Sequence, residues 1–508
     1  MMKFSAFISK HWDALIASLV ASACIYFYTR HSGIGISPDS VIYESAATNI
    51  RTHFSFTDFN GVPLVDFPLG YPSFLALVSF LTGMNVLQVA PLLNCVLFSG
   101  VIILTSIIID GYQKRSHLYK ICILALAACS PCLLEVYSML WSETLFIFLS
   151  LLFIVALRTY FKSYRIAALL FAALIAAFAF ATRYAGIVLL ATGLFLIFFN
   201  GDLAMRKKIK HILLFTVAGS SLVIINLVRN SNEAGHITGV REKALRTLSD
   251  ILQQIGTTVS DWLPYTRGHE TVAVIVFLVI LSGGICILLY HLLQQQYFTS
   301  YQTIVAGVFV VYVLFIITIA TISRFEYLTG RLLSPLYIPM LLTGSSWLIS
   351  FLQQSYRIKR VIVSVLLLII YAGFQYNHYQ LNAEAWEGIK DSGMPGYAEG
   401  SWTGSPAVAL VKKMKPAIIQ PVYANANDAV YFLTGIHTMA LPHKENQQEI
   451  DAFLQHPSFY VIWFVDGENT DLVDLDFINQ HKKLVSVQQA EGGAVYFFAD
   501  SASVSLQR

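Results

Sequence analysis

A few ionisable residues stand at the ends of long apolar runs, where a charge beside a membrane is costly and marks a functional candidate. Asp39 lies in Ser37-Pro38-Asp39-Ser40-Val41-Ile42-Tyr43-Glu44. Ser-Pro-Asp before an apolar helical run reads as a helix start, with Ser37 or Asp39 near the cap. Asp39 is then either a cap alone or a carboxylate held at the membrane surface, able to act as a general base. Glu143 follows Trp141-Ser142 and opens a very apolar run. It either complements the helix dipole or supplies a second carboxylate facing the first, to bind a divalent ion or hold a substrate. Arg183, in Ala181-Thr182-Arg183-Tyr184-Ala185-Gly186, joins two apolar runs. It either snorkels to the headgroups or grips a phosphate through its planar fork. Arg324 and Arg331 flank residues 325–330. Two arginines there run against the charge trend of the chain and favour an anion partner, unless Glu326 neutralises one.

Other chemistries find little support. His31, His53, His236 and His269 show no ligand spacing, so a zinc site is not expected. The chain has no Walker loop, no Gly-x-Gly-x-x-Gly and no Gly-x-Ser-x-Gly. ATP-driven transport is therefore unsupported. Cys129-Ser130-Pro131-Cys132 has the spacing of a redox pair, but it lies in an apolar segment where small residues serve helix packing. No cofactor is required by these patterns; a divalent cation is left open.

The elements that must position these residues are membrane helices. Of 508 residues, 56% are hydrophobic and only 12% charged, against about a quarter charged in an ordinary soluble domain. Mean hydropathy is +0.62. This excludes a soluble enzyme, a disulfide scaffold and a disordered chain. About eleven spans of helical length are expected, at 12–30, 87–109, 118–134, 143–160, 166–182, 184–199, 212–229, 271–291, 303–322, 332–351 and 361–379. The segment 67–81 is short and opens with two prolines. If it lies at the surface or re-enters, the basic clusters Lys3/Lys10, Lys114/Arg115/Lys120, Arg158/Lys162/Arg165, Arg206/Lys207/Lys208/Lys210 and Arg357/Lys359/Arg360 all face the cytoplasm. The N-terminus is then cytoplasmic. Asp39, Glu44, Glu143, Arg183, Arg324 and Arg331 share the outer boundary with a long first outer loop at 31–86.

The chain changes character near residue 380. Residues 1–379 carry 25 Lys/Arg against 15 Asp/Glu, and residues 380–508 carry 8 against 15. The expected organisation is a transmembrane domain over 1–379 and a small soluble extracytoplasmic α/β domain over 380–508. Strand-length runs stand at 420–425 and 459–465, and a closing pair at 483–488 and 494–499 surrounds Gly492-Gly493. Short helices are expected over 427–435 and 446–455.

Four stretches together resemble the GT-C superfamily of integral-membrane glycosyltransferases, which includes protein O-mannosyltransferases and the transferases that add aminoarabinose to lipid A. Pro38-Asp39-Ser40-x-x-Tyr43 is similar to its first acidic motif, and Phe67-Pro68-Leu69-Gly70-Tyr71-Pro72 to its juxtamembrane motif. Ser142-Glu143 resembles its second acidic position, and Thr182-Arg183 and Arg331-Leu332-Leu333-Ser334-Pro335 its later basic motifs. Ser40 replaces the second acid of an Asp-Glu pair, and Phe67 replaces a proline.

The resemblance implies a mainly α, polytopic fold in the cell inner (plasma) membrane and a polyprenyl-phosphate sugar donor. It implies a lipid, glycan or protein acceptor. Asp39 and Glu143 would be catalytic, Asp39 as general base. Tyr43, Glu44, Tyr71, Arg183, Arg324 and Arg331 would bind substrate, with arginines taking the leaving phosphate. The competing class is a transporter or flippase for a lipid-linked or polysaccharide precursor. That class favours internal repeats and broken helices with midplane polar residues, whereas the charges here gather at one face.

Overall fold

Each of the eleven apolar runs folds as helix. The computed structural model describes residues 2–112, 114, 116–239, 244, 246–264, 266–323, 327–414, 420–465 and 469–500. Among these, eight helices are long and apolar enough to cross a membrane: His11–Thr29, Val86–Asp110, Glu143–Ser163, Met205–Ala234, Glu270–Leu293, Tyr301–Ile322, Gly330–Gln354 and Arg357–Ser392. His117–Ala128 and Pro131–Ser138, bent by 47°, make a ninth if counted as one span. The remaining two expected spans are the shorter apolar helices Ile166–Thr182 and Tyr184–Phe199. The protein is thus a multi-pass helical membrane protein. The ambiguous segment 67–81 forms a helix of 13 residues, Gly70–Thr82, too short to span by itself.

The chain divides into two compact units, one of Met1–Arg30 with Leu64–Glu387, the other of His31–Pro63 with Gly388–Arg508. The first holds the long apolar helices, the last of them as far as Glu387. Its breaks have local causes. The bend at Ser130-Pro131 follows from proline at the first helical position, which restarts a helix rather than continuing one, with Ser130 Oγ accepting from the Leu133 amide. Arg183 takes an extended conformation (φ −150°, ψ 138°) between the helix Ile166–Thr182 and the one-turn helix Tyr184–Gly186.

Far along the helix Val86–Asp110 from its start, a buried ionic group ties three helices. Lys120 Nζ lies 3.0 Å from both Asp13 and Asp110. Lys120 and Asp13 are almost wholly buried. Such charges are tolerated only because they are paired.

The second unit carries a five-stranded sheet of order β2-β1-β3-β5-β4, with β1 Val422–Ala424, β2 Met439–Ala440, β3 Ser458–Phe464, β4 Lys483–Ala490 and β5 Gly493–Ala499. β1 pairs in parallel with β2 and β3, and β5 pairs antiparallel with β3 and β4. The expected closing pair is the β4–β5 hairpin, turned at Gly492 (φ +83°). The expected short helices are Asn427–Thr434, ended by a left-handed Gly435, and Gln447–Leu454. Tyr423, Phe453, Phe459, Val461, Ile478 and Phe498 form its core. Sequence reading missed the two-residue strand β2 and the helix Leu475–His481.

Residues 31–63 are stitched into this unit. The Met394 amide donates to Ser32 Oγ (2.7 Å) and the Tyr397 amide to the Ile36 carbonyl (2.8 Å). Asn60 Nδ2 donates to the Thr438 carbonyl (2.9 Å), and Phe59 stacks on Tyr431 with centroids 4.5 Å apart.

Candidate active site

In the membrane unit, three residues far apart in sequence meet at one carboxylate. Glu143 opens the helix Glu143–Ser163 and is 0% exposed. Its Oε1 accepts from Arg183 NH1 at 2.6 Å and from Arg331 Nε at 2.7 Å. Arg183 NH1 also donates to Ser142 Oγ at 2.9 Å. The Arg331 guanidinium lies over the Trp141 ring, 4.6 Å from its centroid, a cation–π contact that orients the fork. Two guanidiniums against one carboxylate leave the group with a net positive charge, and their side chains keep some solvent access, at 17% and 16%.

The backbone brings these groups together through several fixed contacts. Asn94, buried in the helix Val86–Asp110, donates through Nδ2 to the carbonyls of Tyr137 (2.8 Å) and Met139 (3.0 Å). Tyr137 OH donates to the Thr144 carbonyl, and Thr144 Oγ1 to the Trp141 carbonyl. These bonds fix the short connection that presents Trp141, Ser142 and Glu143. On the other side, the extended Arg183 is held by its own amide bonding to Ala179 and its carbonyl accepting from Gly186. Gly186 must be glycine for that turn: a Cβ there would run into the backbone of Ala179 and Phe180.

Gly70 serves the same place from a third element. A Cβ at Gly70 would lie 2.5 Å from the Ala181 carbonyl oxygen. The bare glycine lets the helix Gly70–Thr82 close on the backbone just before Arg183. The next residue, Tyr71, is fully buried. Burial pushes its hydroxyl up, the nearby Thr144 opposes this, and the charges of Glu143 and Arg331 act on it in opposite directions.

In the second unit, Asp39 is the second residue of the helix Pro38–His53, with Ser37 at the N-cap and Pro38 at the first position, as expected. The Ser37 amide donates to Ser40 Oγ (3.0 Å). Tyr43 is buried on this helix. Glu44 Oε1 accepts from Thr48 Oγ1 (3.1 Å), and burial raises its carboxyl above the usual glutamate value. Asp428 lies in the first turn of the helix Asn427–Thr434 and accepts from Tyr397 OH at 2.8 Å. Burial raises the Asp428 carboxyl; Tyr397 opposes the rise and the Asp39 charge adds to it.

Among the sequence candidates, Glu143, Arg183 and Arg331 thus meet in one group, with Tyr71 beside it. Asp39, Tyr43 and Glu44 share one helix of the other unit. Arg324 and Glu326 lie outside the described residues. Trp141 and Asn94 were not singled out by sequence, and neither were Tyr397 and Asp428. Trp141 had one signal, its place two residues before Glu143. Among the described residues, no three His, Cys, Asp or Glu side chains gather as a metal-binding group.

No protein-family model matches the sequence, and no curated protein does. Solved structures do match. ArnT from Cupriavidus metallidurans bound to undecaprenyl phosphate aligns over 95% of this chain and 97% of its own, with TM-score 0.54 and 10% identity. Its apo state gives TM-score 0.55 and 12% identity over the same shares. The archaeal oligosaccharyltransferase AglB from Archaeoglobus fulgidus, in complex with an inhibitory peptide and a dolichol-phosphate, aligns over 96% of this chain and 74% of its own, with TM-score 0.54 and 11% identity. The chain shares the overall fold of these solved membrane proteins.

Proposed function

We propose that this protein is a glycosyltransferase that moves a hexosyl or pentosyl group from a polyprenyl-phosphate donor to an acceptor at the outer face of the cytoplasmic membrane. The observation that carries the reading is the pairing of Arg183 and Arg331 on one buried carboxylate, within a fold shared with a protein solved bound to undecaprenyl phosphate. A departing phosphate monoester needs positive charge that is already in place. Each preorganised donor aimed at developing charge contributes roughly 3 kcal/mol.

In the proposed reaction, an acceptor hydroxyl or amine attacks the anomeric carbon. The bond from that carbon to the phosphate oxygen breaks, and the electron pair leaves with polyprenyl phosphate. The acceptor's proton passes to the Asp39 carboxylate. Arg183 and Arg331 take the leaving phosphate, and Glu143 holds both guanidiniums ready. Tyr43, Glu44 and Tyr71 bind substrate, and the acceptor is a lipid, glycan or protein. The basic clusters support an N-terminus in the cytoplasm and residues 380–508 outside it.

The test uses purified protein in liposomes, a panel of polyprenyl-phosphate sugars and a crude membrane acceptor extract. Release of polyprenyl phosphate by wild type that vanishes in Asp39→Asn is the expected result. Equal release by both removes Asp39 as the base. No release with any donor counts against the transferase reading and for transport of a lipid-linked precursor.

A further inference from the structure

Asp428 is a half-buried carboxylate that packing alone does not require. It follows β1 at the carboxyl end of the parallel pair β1–β3, where open α/β sheets present functional groups. Its partner Tyr397 is 7% exposed and tightly held. The Tyr397 ring meets Trp402 edge-on (5.0 Å between centroids), and Trp402 meets Phe464 at the end of β3 (5.2 Å). Asn425, next to β1, in turn brackets the Phe464 backbone: it accepts from the amide at 2.9 Å and donates to the carbonyl at 2.7 Å.

From Tyr397 the contacts run to the helix that carries Asp39. The Tyr397 amide donates to the Ile36 carbonyl (2.8 Å), and Gly396 forms a parallel bridge with Ile36. Gly396 sits at φ +87°, and any Cβ there would collide with the Ile36 carbonyl oxygen. Only glycine allows this approach. Ile36 precedes Ser37, the N-cap of the helix Pro38–His53, and Asp39 is two residues further on. An unbroken path of hydrogen bonds and covalent bonds thus links the sheet to Asp39 through Asp428, Tyr397, Ile36 and Ser37.

We propose that Tyr397 and Asp428 are a positioning pair for Asp39, locking the first turn of its helix to the sheet of the second unit. The inference rests on the assignment of Asp39 as the base. Burial raises both the Asp428 carboxyl and the Tyr397 hydroxyl, Asp428 adds to the rise at Tyr397, and the charge of Asp39 adds a smaller share to each. The hydrogen bond fixes the rotation of Tyr397, and the Tyr397 backbone fixes Ile36.

The test compares Tyr397→Phe, Asp428→Ala and Asp428→Asn in the full-length protein, by polyprenyl phosphate release in liposomes and by hydrogen exchange of the amides at 39–43. Tyr397→Phe and Asp428→Ala should lower kcat about tenfold or more, with KM for the donor within about twofold of wild type. Asp428→Asn keeps an acceptor for the Tyr397 hydroxyl and should stay within about threefold of wild type. In an Asp39→Asn background, Tyr397→Phe should have no further effect. Exchange at 39–43 should rise in Tyr397→Phe and Asp428→Ala. Wild-type kcat in Tyr397→Phe, or equal loss in Asp428→Asn and Asp428→Ala, overturns the proposal. So does unchanged exchange. If wild type releases no polyprenyl phosphate, the transferase reading fails, and the exchange measurement still decides whether the pair positions Asp39.

Discussion

Replacing Gly70 with alanine adds one methyl group where the helix Gly70–Thr82 touches the backbone at Ala181. The new Cβ would start 2.5 Å from the Ala181 carbonyl oxygen and 2.6 Å from its carbon, whereas ordinary contact begins at 3.4 Å. The obstacle is backbone on both sides, so no flexible side chain can swing away. The two helices must part by about 0.9 Å in a close-packed interior. Overpacking of this kind costs about 1–3 kcal/mol. The rate should suffer more than stability. Arg183 lies two residues after Ala181, and its bond to Glu143 spans 2.6 Å. Catalytic groups need placement within about 0.5 Å, and a misplacement near 1 Å costs up to about 100-fold. Gly70→Ala should therefore melt a few degrees lower but release polyprenyl phosphate about 10- to 100-fold more slowly than wild type. Gly283→Ala is the control, because a methyl group there meets open space within its helix. A Gly70→Ala protein that works at the wild-type rate would refute the idea that this contact sets Arg183.

Other outcomes follow from the same contacts. Glu143→Ala leaves two guanidiniums beside a vacated, buried position and should destabilise the protein by about 3–5 kcal/mol, read as a large fall in melting temperature. Trp141→Ala removes the ring under Arg331 and should weaken retention of the released polyprenyl phosphate, at a cost of about 1 kcal/mol. Lys120→Ala strips the cation from between Asp13 and Asp110 and should destabilise by a similar 3–5 kcal/mol, about as much as Glu143→Ala; melting of both variants tests the ranking.

The pH dependence has a definite sign. Asp428 has a folded value above its ordinary 3.8, so the folded state holds its proton longer than the unfolded state. The stability it contributes is full below 3.8 and is lost as pH rises through the raised folded value. Glu44 acts in the same direction from 4.5. Glu449 and Asp474 have lowered values and contribute the opposite slope. Asp428→Asn should remove the Asp428 part alone, so the mutant should gain melting temperature relative to wild type as pH rises from about 4 towards neutral. A difference that stays constant with pH would contradict that account.

The long helices of the membrane unit were legible because each is its own apolar run, whereas the amphipathic helix Leu248–Trp262 was not. The start of the helix carrying Asp39 was legible too, since Ser37-Pro38 is a local signal. The β4–β5 hairpin was marked by Gly492-Gly493 between two strand-like runs. Meetings between distant residues were not legible. Arg183 and Arg331 were each read as phosphate ligands, but nothing local says that both bond to Glu143, 40 and 188 residues away. Tyr397 follows an ordinary Pro-Gly turn, and Asp428 read as no more than a helix start. The strand β2 escaped because two residues carry no periodicity. The juxtamembrane motif gave Gly70 by type alone; its reason, contact with the Ala181 backbone, exists only once two helices pack.

The second unit draws on two stretches of chain separated by more than 300 residues, 31–63 and 388–508. Its sheet strands all come from the later stretch, and the helix bearing Asp39 comes from the earlier one. During synthesis the early stretch must wait until every membrane helix has been made before the Ile36 carbonyl can meet Tyr397. Closing so long a loop is slow. A chain interrupted before residue 397 would therefore insert its helices yet leave Asp39 on an unanchored segment. Completion of the second unit then becomes the last event of biogenesis, and an unfinished copy in the bilayer carries an Asp39 helix with nothing to dock on.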